Sequence, residues 1–221
     1  MTRSGSLNAD ESIKIGVDFD NTIVCYGDLF HSVAVERSLI PPNLPTTRVH
    51  VRDYLKGTGR DDAWTELQGY VYGVAISRAA PFPGVRDFFR ECRSAGIAIS
   101  VISHKTRFPV RGRRVDLHAA ASEWLRRHRL YDADVSDSPV DAVLFAETRR
   151  EKLTRIAASG VTHFVDDLSA VLADPAFPGG VRRILFDPER RQPPLPAGTI
   201  CVGAWDEMGQ LFPVAGGRHH G

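Results

Sequence analysis

The chain has few cysteines and no long apolar run. Its three cysteines, Cys25, Cys92 and Cys201, are odd in number and far apart. This spacing excludes a disulfide framework and a zinc-ligand pattern, and it fits a reducing compartment. No segment approaches the length of about 18 apolar residues that a membrane span needs, and the polar start of the chain lacks the apolar stretch of a signal peptide. We therefore expect a cytoplasmic protein.

The chain also lacks a large net charge of either sign. The 28 basic and 27 acidic residues give a formal net charge of +1, so no overall field attracts nucleic acid or a membrane surface. The sequence contains no Gly-rich phosphate loop and no Gly-x-Ser-x-Gly nucleophile elbow. We expect a small-molecule partner rather than a nucleic acid polymer or a membrane, and the sequence leaves the oligomeric state open.

Strand and helix patterns alternate over most of the chain. The β-rich run from Ile13 to Phe19 ends in carboxylates, as a buried strand does when its carboxyl end carries chemistry. This alternation predicts an α/β fold, with a Rossmann-like parallel sheet covered by helices on both faces. After that run the predicted strands are 97–102, 142–145, 161–165, 183–186 and 199–202, and the predicted helices are 85–95, 116–129 and 147–158.

A block of helices alone interrupts this alternation. We predict helices over 28–38, from Thr46 or Thr47 to Leu55, and from Asp61 or Asp62 through Val74. Prolines break the block and close it at 81–84. The expected organisation is an α/β core formed by 12–27 and 81–214, a small inserted helical cap at 28–80, and disordered ends at 1–11 and 215–221.

Four polar features lie at predicted strand ends or helix starts, and the carboxyl ends of parallel strands converge on one edge of a sheet. They are Asp18-Phe19-Asp20-Asn21-Thr22, Ser103, Lys152 and Asp166-Asp167. In this order they resemble the four signature motifs of the haloacid-dehalogenase (HAD) superfamily. The ordered pattern spans nearly the whole chain, with about nine identical residues. The resemblance implies a magnesium-dependent phosphohydrolase with its cap between the first and second motifs.

The first motif carries two carboxylates two residues apart. On an extended chain Asp18 and Asp20 point to the same side, and their repulsion favours a shared proton or a cation. Mg²⁺ is a hard ion that prefers oxygen ligands. By the resemblance, Asp18 attacks phosphorus to form an aspartyl-phosphate. Asp20 protonates the leaving oxygen, then activates water, and gives its backbone carbonyl to the metal.

The substrate-binding candidates come from the first two motifs. Thr22 is expected to brace the turn after the nucleophile and to contribute to substrate binding. Ser103 follows a hydrophobic strand, where its hydroxyl can donate to a phosphate oxygen. His104 and Lys105 come directly after Ser103 and are further candidates to reach the substrate.

The third and fourth motifs supply a cation and two acids. Lys152, near the start of a helix, is expected to neutralise the phosphoryl group during transfer. Its spacing to Asp166 is shorter than in many HAD relatives, so Arg149 or Arg150 is an alternative for this role. Two acids at the end of a buried strand are costly without a cation. The resemblance assigns Asp166 to direct Mg²⁺ ligation, alongside Asp18 and Asp20, and Asp167 to a supporting role.

The expected reaction is hydrolysis of a small phosphorylated metabolite, with a sugar phosphate or a nucleotide as candidates. Carbon–halogen hydrolysis is disfavoured because HAD dehalogenases lack an acid at the position of Asp20. Phosphonate hydrolysis needs a cap lysine, for which Lys56 is the one candidate, and a phosphomutase would use the same residues. The acids that these motifs require are all present, which disfavours a non-catalytic phosphate-binding module.

Candidates to line the cap entrance are Arg52, Lys56, Trp64, Gln68, Tyr70 and Tyr72.

Overall fold

A computed structural model describes residues 12–191, 194–212 and 214. Its centre is a six-stranded parallel sheet in the order β5-β4-β1-β6-β7-β8, with helices packed around it. The predicted Rossmann-like α/β class is thereby confirmed. The strands are β1 (Lys14–Val17), β2 (Val24–Cys25), β3 (Ala80–Pro81), β4 (Ala98–His104), β5 (Ala142–Ala146), β6 (His163–Asp166), β7 (Arg182–Phe186) and β8 (Ile200–Val202). The helices are α1 (Leu29–Glu36), α2 (Arg48–Gly57), α3 (Asp61–Gly73), α4 (Val85–Ser94), α5 (Leu117–Arg127), α6 (Arg149–Ala158), α7 (Ser169–Leu172) and α8 (Trp205–Met208).

Strand β1 lies in the middle of the sheet and positions the first motif. Val17 pairs with Val101 on one side and Val165 on the other, and it is fully buried. At Gly16 a Cβ atom would meet the Phe164 ring at 2.6 Å, so only glycine allows this packing. The backbone amide of Asp18 donates to the carbonyl of Val165 at 2.9 Å. Asp18 is therefore fixed just beyond the carboxyl end of the central strand.

Three helices, α1 to α3, lie in the segment predicted as a cap. They follow β2 and precede β3, and these two strands pair antiparallel through Val24 with Pro81 and Cys25 with Ala80. Helix α2 begins as predicted after Thr47, whose hydroxyl accepts from the amide of His50. The division into a core (12–27 and 81–214) and a cap (28–80) stays a prediction, and the ends predicted as disordered, 1–11 and 215–221, lie outside the described residues.

Several predicted boundaries are wrong. Strand β4 runs through Ser103 and His104 instead of ending at Ile102, because pairing with β5 continues beyond the hydrophobic run. Asp61 is the first residue of α3 and not its cap. The pair β2–β3 and the four-residue helices α7 and α8 went unpredicted, since elements this short show no periodicity. In the described part of the chain, no helix is long and apolar enough to cross a membrane.

Candidate active site

Lys152 connects the first motif to the fourth. Its Nζ atom lies 2.5 Å from Oδ1 of Asp18 and 2.6 Å from Oδ2 of Asp166. The side chain is almost fully buried, with 1% of its surface exposed. Helix α6 presents Lys152 in its first turn, and Thr148 caps that turn by accepting from the amide of Glu151 at 3.1 Å. Of the three cations considered for the third motif, the structure brings Lys152 into contact with both acids.

The acids around Lys152 form a compact cluster. Carboxylate oxygens of Asp18, Asp166 and Asp167 lie within 4.8 Å of one another. Burial raises the pKa of Asp18 to about 7, and the attraction of Lys152 offsets only part of that rise. Burial, followed by the charges of Asp166 and Asp18, raises the pKa of Asp167 well above its usual value. Burial disfavours the ammonium of Lys152, but Asp166 and Asp18 outweigh this and raise its pKa.

One buried ammonium faces three carboxylates in this cluster, so negative charge is in excess when all three are ionised. Buried like charges at this distance are costly, and a divalent cation would relieve their repulsion. Hard oxygen donors in a small space are the ligand set that Mg²⁺ accepts. The residues therefore fit a divalent metal ion, with Asp18, Asp166 and Asp167 as the side chains that would hold it.

The carboxylate of Asp20 lies outside this cluster. Its Oδ1 accepts from the Tyr26 hydroxyl at 2.5 Å, and its Oδ2 lies 2.7 Å from Nζ of Lys105. Lys105 is buried, and its ammonium lies 4.9 Å from the centre of the Tyr72 ring. These contacts fix the side chain of Asp20 in one orientation. Its carboxylate is therefore not a metal ligand in this arrangement, which leaves only the backbone carbonyl for the predicted metal contact.

Two cavities meet at the side chains of Asp20, Tyr72 and His104. The first, the charged cavity, has a volume of about 170 Å³. The second, the neutral cavity, has a volume of about 250 Å³ and lies between α3 and the loop that follows β4. Besides the shared three, the charged cavity is lined by Asp18, Asn21, Arg48, Arg149, Lys152, Asp167, Leu168 and Val171. The neutral cavity is lined by Thr65, Gln68, Gly69, Lys105, Thr106, Pro109, Val110 and Leu117.

The predicted substrate-binding residues divide into two groups. His104 and Lys105 line the cavities. Ser103 and Thr22 are buried, with 1% and 0% of their surface exposed, and neither lines the two cavities. The carbonyl of Thr22 accepts from Nε1 of Trp205 at 3.0 Å, whereas its hydroxyl has no hydrogen-bond partner among the described residues. The structure thus ties Thr22 to the core and does not bring its hydroxyl to the cavities.

Two arginines in the charged cavity were not assigned to substrate binding from the sequence. Arg48 begins α2 and Arg149 begins α6, and neither forms an ion pair within 12–191, 194–212 and 214. The Nε atom of Arg48 is buried without a hydrogen-bond partner in that same part of the chain. A cation in the first turn of a helix opposes the helix dipole. Arg149 had been considered only as an alternative to Lys152. The sequence Thr-Arg at a helix start, seen at 47–48 and at 148–149, was the signal that could have identified Arg48 as well.

Among the cap residues proposed for the entrance, Gln68 and Tyr72 line a cavity. Arg52 is exposed and contacts Asp53 at 2.8 Å. Lys56 also faces solvent, 3.8 Å from Asp61, and Trp64 is buried in the packing of the cap helices. Neither cavity is lined by the other four candidates, Arg52, Lys56, Trp64 and Tyr70. Trp64 packs inside the cap, and the ion pairs of Arg52 and Lys56 lie on the solvent-exposed surface.

The whole architecture is shared with solved structures of low sequence identity. Protein Tyrosine Kinase A of Mycobacterium tuberculosis matches with a TM-score of 0.62 at 15% identity, over 93% of this chain and all of that one. A predicted phosphatase from Clostridium acetobutylicum matches with a TM-score of 0.60 at 12% identity, over 90% of this chain and 97% of that one. A haloacid dehalogenase-like hydrolase from Streptococcus pneumoniae matches with a TM-score of 0.56 at 12% identity, over 91% and 99%.

Dehalogenases are also among the similar structures. No protein-family model matches the sequence, and no curated protein is similar enough to count as a relative. The similarity covers nearly the full length of both chains, but the sequence identity is at most 15% in these three. It therefore supports the fold and does not identify the reaction. With its parallel sheet and the acids and lysine gathered at the end of the central strand, the chain has the fold of the HAD-superfamily hydrolases.

Proposed function

We propose that the chain is a metal-dependent phosphomonoester hydrolase in which Asp18 is the nucleophile. The observation that carries the proposal is the contact of Lys152 with both Asp18 and Asp166 at the end of the central strand. A buried cation beside a carboxylate nucleophile provides what phosphoryl transfer needs, which is positioning and compensation of charge. The substrate is a small phosphate ester, and we propose a cytoplasmic setting with neither nucleic acid nor membrane as partner.

The proposed reaction has two steps, formation of an aspartyl-phosphate and its hydrolysis. A carboxylate oxygen of Asp18 attacks phosphorus, the bond from phosphorus to the ester oxygen breaks, and Asp20, which begins the cycle in its protonated form, delivers that proton to the leaving oxygen and becomes the carboxylate. A water molecule then attacks phosphorus, Asp20 takes its proton, and the acyl-phosphate bond breaks to release inorganic phosphate and restore Asp18. Lys152 compensates the negative charge on the phosphoryl oxygens, while Tyr26 and Lys105 hold Asp20 in position.

We propose Mg²⁺ as the metal ion, held by Asp18, Asp166 and Asp167. Bound there, it would polarise the phosphoryl group and offset the charge of the acids that surround the nucleophile. The chain's own contribution is to keep these three acids close together, with Asp18 and Asp166 buried and Asp167 partly buried. Asp20 is kept apart from them by its contacts with Tyr26 and Lys105.

Two related reactions are less well supported. Phosphonate hydrolysis requires a cap lysine that reaches the substrate, and Lys56 faces solvent beside Asp61. Carbon–halogen hydrolysis is performed by HAD enzymes without an acid at the position of Asp20, which is present here and contacts two donors. A phosphomutase would use the same residues and differ only in whether a substrate hydroxyl or water accepts the phosphoryl group.

The substitution Asp18→Asn tests the proposal. It keeps the size of the side chain but removes the nucleophilic charge, and we expect turnover of an aryl phosphate to fall by several orders of magnitude. Asp134→Asn, the same chemical change on an exposed loop residue, is the matched control and should keep the wild-type rate. If Asp18→Asn retained more than about a tenth of the rate, Asp18 would not be the nucleophile.

A further inference from the structure

The neutral cavity contains almost no uncompensated charge. Its charged members are Asp20 and Lys105, and these pair with each other at 2.7 Å. Burial lowers the pKa of the His104 imidazole, which favours its neutral form. Burial also raises the pKa of the Tyr72 hydroxyl, which stays a neutral phenol. A second anionic group placed here would find no unpaired cation among the described lining residues, whereas the charged cavity is lined by Arg48 and Arg149, which form no ion pair in that part of the chain.

The walls of the neutral cavity combine hydrogen-bonding groups with apolar surface. Gln68 provides an amide, and Thr65 and Thr106 provide two hydroxyls that donate to the carbonyls of Asp61 and Phe108 and whose oxygens can accept from a ligand. The opposing surface is apolar and consists of Gly69, Pro109, Val110 and Leu117. Neutral donors and acceptors beside apolar carbon suit a ligand that carries hydroxyl groups on a carbon ring, since each buried hydroxyl needs a partner.

The size of the neutral cavity is set by direct packing of α3 on the loop after β4. A Cβ atom at Gly69 would lie 2.6 Å from Cβ of Pro109 and 3.1 Å from the carbonyl of Arg111, so these elements are already in contact. The volume of the cavity is about 250 Å³. It lies below the range of about 300–1,000 Å³ typical of sites for drug-sized ligands. The cavity therefore suits a group of about one ring.

We infer that the substrate is the monophosphate of an uncharged, hydroxyl-bearing group of about one ring, with the phosphate as its only anionic group. The phosphate occupies the charged cavity beside Asp18, and the leaving group occupies the neutral cavity. This inference rests on the proposed phosphatase function and narrows it to monosaccharide-type esters. Esters that carry a carboxylate or a second phosphate are then poor substrates, because either anion would be buried without a partner.

Release of inorganic phosphate from four esters tests the inference. We would use p-nitrophenyl phosphate as a general substrate, glucose 6-phosphate with an uncharged leaving group, phosphoglycerate with a carboxylate, and fructose 1,6-bisphosphate with a second phosphate. We expect kcat/KM for glucose 6-phosphate to exceed that for the two polyanionic esters by roughly tenfold or more, because the polyanionic esters leave a polar group unmatched.

Two substitutions on α3 that each change the net charge by +1 locate the effect. Gln68→Lys places the charge in the neutral cavity. It should raise kcat/KM for phosphoglycerate relative to glucose 6-phosphate by roughly tenfold. Glu66→Gln makes the same net change outside the cavity by removing a carboxylate that contacts Arg37 at 3.0 Å, and it should leave that ratio unchanged. The ratio cancels any general loss of activity in either variant.

The outcomes separate this inference from the function on which it rests. Phosphate release from none of the four esters would overturn the proposed function together with the inference. Hydrolysis that favours phosphoglycerate or fructose 1,6-bisphosphate in the wild type would overturn the inference alone. An unchanged ratio in Gln68→Lys would do the same, because the leaving group would then bind elsewhere.

Discussion

Replacement of Lys152 by methionine would test the central electrostatic feature of the site. The substitution keeps an unbranched side chain of similar length but removes the only ammonium that contacts Asp18 and Asp166 among the described residues. Both carboxylates are buried, with 6% and 0% of their surface exposed. They would be left beside Asp167 without their positive partner.

The expected loss of stability follows from this burial. Removal of one partner from a buried ion pair costs about 3–5 kcal/mol, because the remaining charge is left uncompensated. For a domain of this size each kcal/mol shifts Tm by about 2–4 °C, so the expected decrease is about 6–20 °C. The control is Lys56→Met, at a lysine that is half exposed and 3.8 Å from Asp61. An exposed pair of this kind contributes at most about 1 kcal/mol.

Thermal and urea denaturation of both variants at neutral pH, without divalent metal, provide the measurement. Addition of Asp18→Asn to Lys152→Met should recover part of the loss, since it removes one of the stranded charges, with a coupling of about 0.5–3 kcal/mol. Turnover of an aryl phosphate by Lys152→Met should fall by about 10²–10³, the typical effect of removing one charge-stabilising donor. A Lys152→Met protein as stable as Lys56→Met would refute the assignment of Lys152 as the buried counter-charge.

Further predictions concern the metal and the cap. Mg²⁺ at about 100 times its Kd should stabilise the wild type by about 2.7 kcal/mol, and calorimetry should show no such gain in Asp166→Asn. Turnover should vanish in excess chelator, and Ca²⁺ should bind yet support slow catalysis, because its coordination is looser; full activity without divalent metal would exclude the proposed metal role. Arg48→Gln should weaken phosphate binding and raise KM for every ester by roughly tenfold, whereas Arg52→Gln on the exposed side of α2 should not change KM. Equal KM values for the two variants would remove Arg48 from the site.

Much of the fold was predictable because its local patterns are strong. The run from Ile13 to Phe19 is rich in β-formers and ends in carboxylates, as expected for a buried strand that carries chemistry at its carboxyl end, and it became the central β1. Thr47 preceded a helical pattern and caps its helix, whereas Thr148, placed inside the predicted helix 147–158, caps α6. The grouping of Asp18, Lys152 and Asp166 followed from the rule that strand ends converge in a parallel sheet, together with the resemblance to HAD motifs.

Only the tertiary structure decided which side chains face the cavities. Periodicity gives the face of an element but not what packs against that face, so the sequence did not distinguish Arg48 from Arg52 on one helix. Asp20 is drawn away from the other acids by Tyr26 and Lys105, the latter 85 positions along the chain. The sequence by itself determined the order of strands and helices and the residue types that carry chemistry, because these depend on neighbours along the chain. Contacts between residues far apart in sequence decided the cavities, their charge and their volume, because these depend on long-range packing.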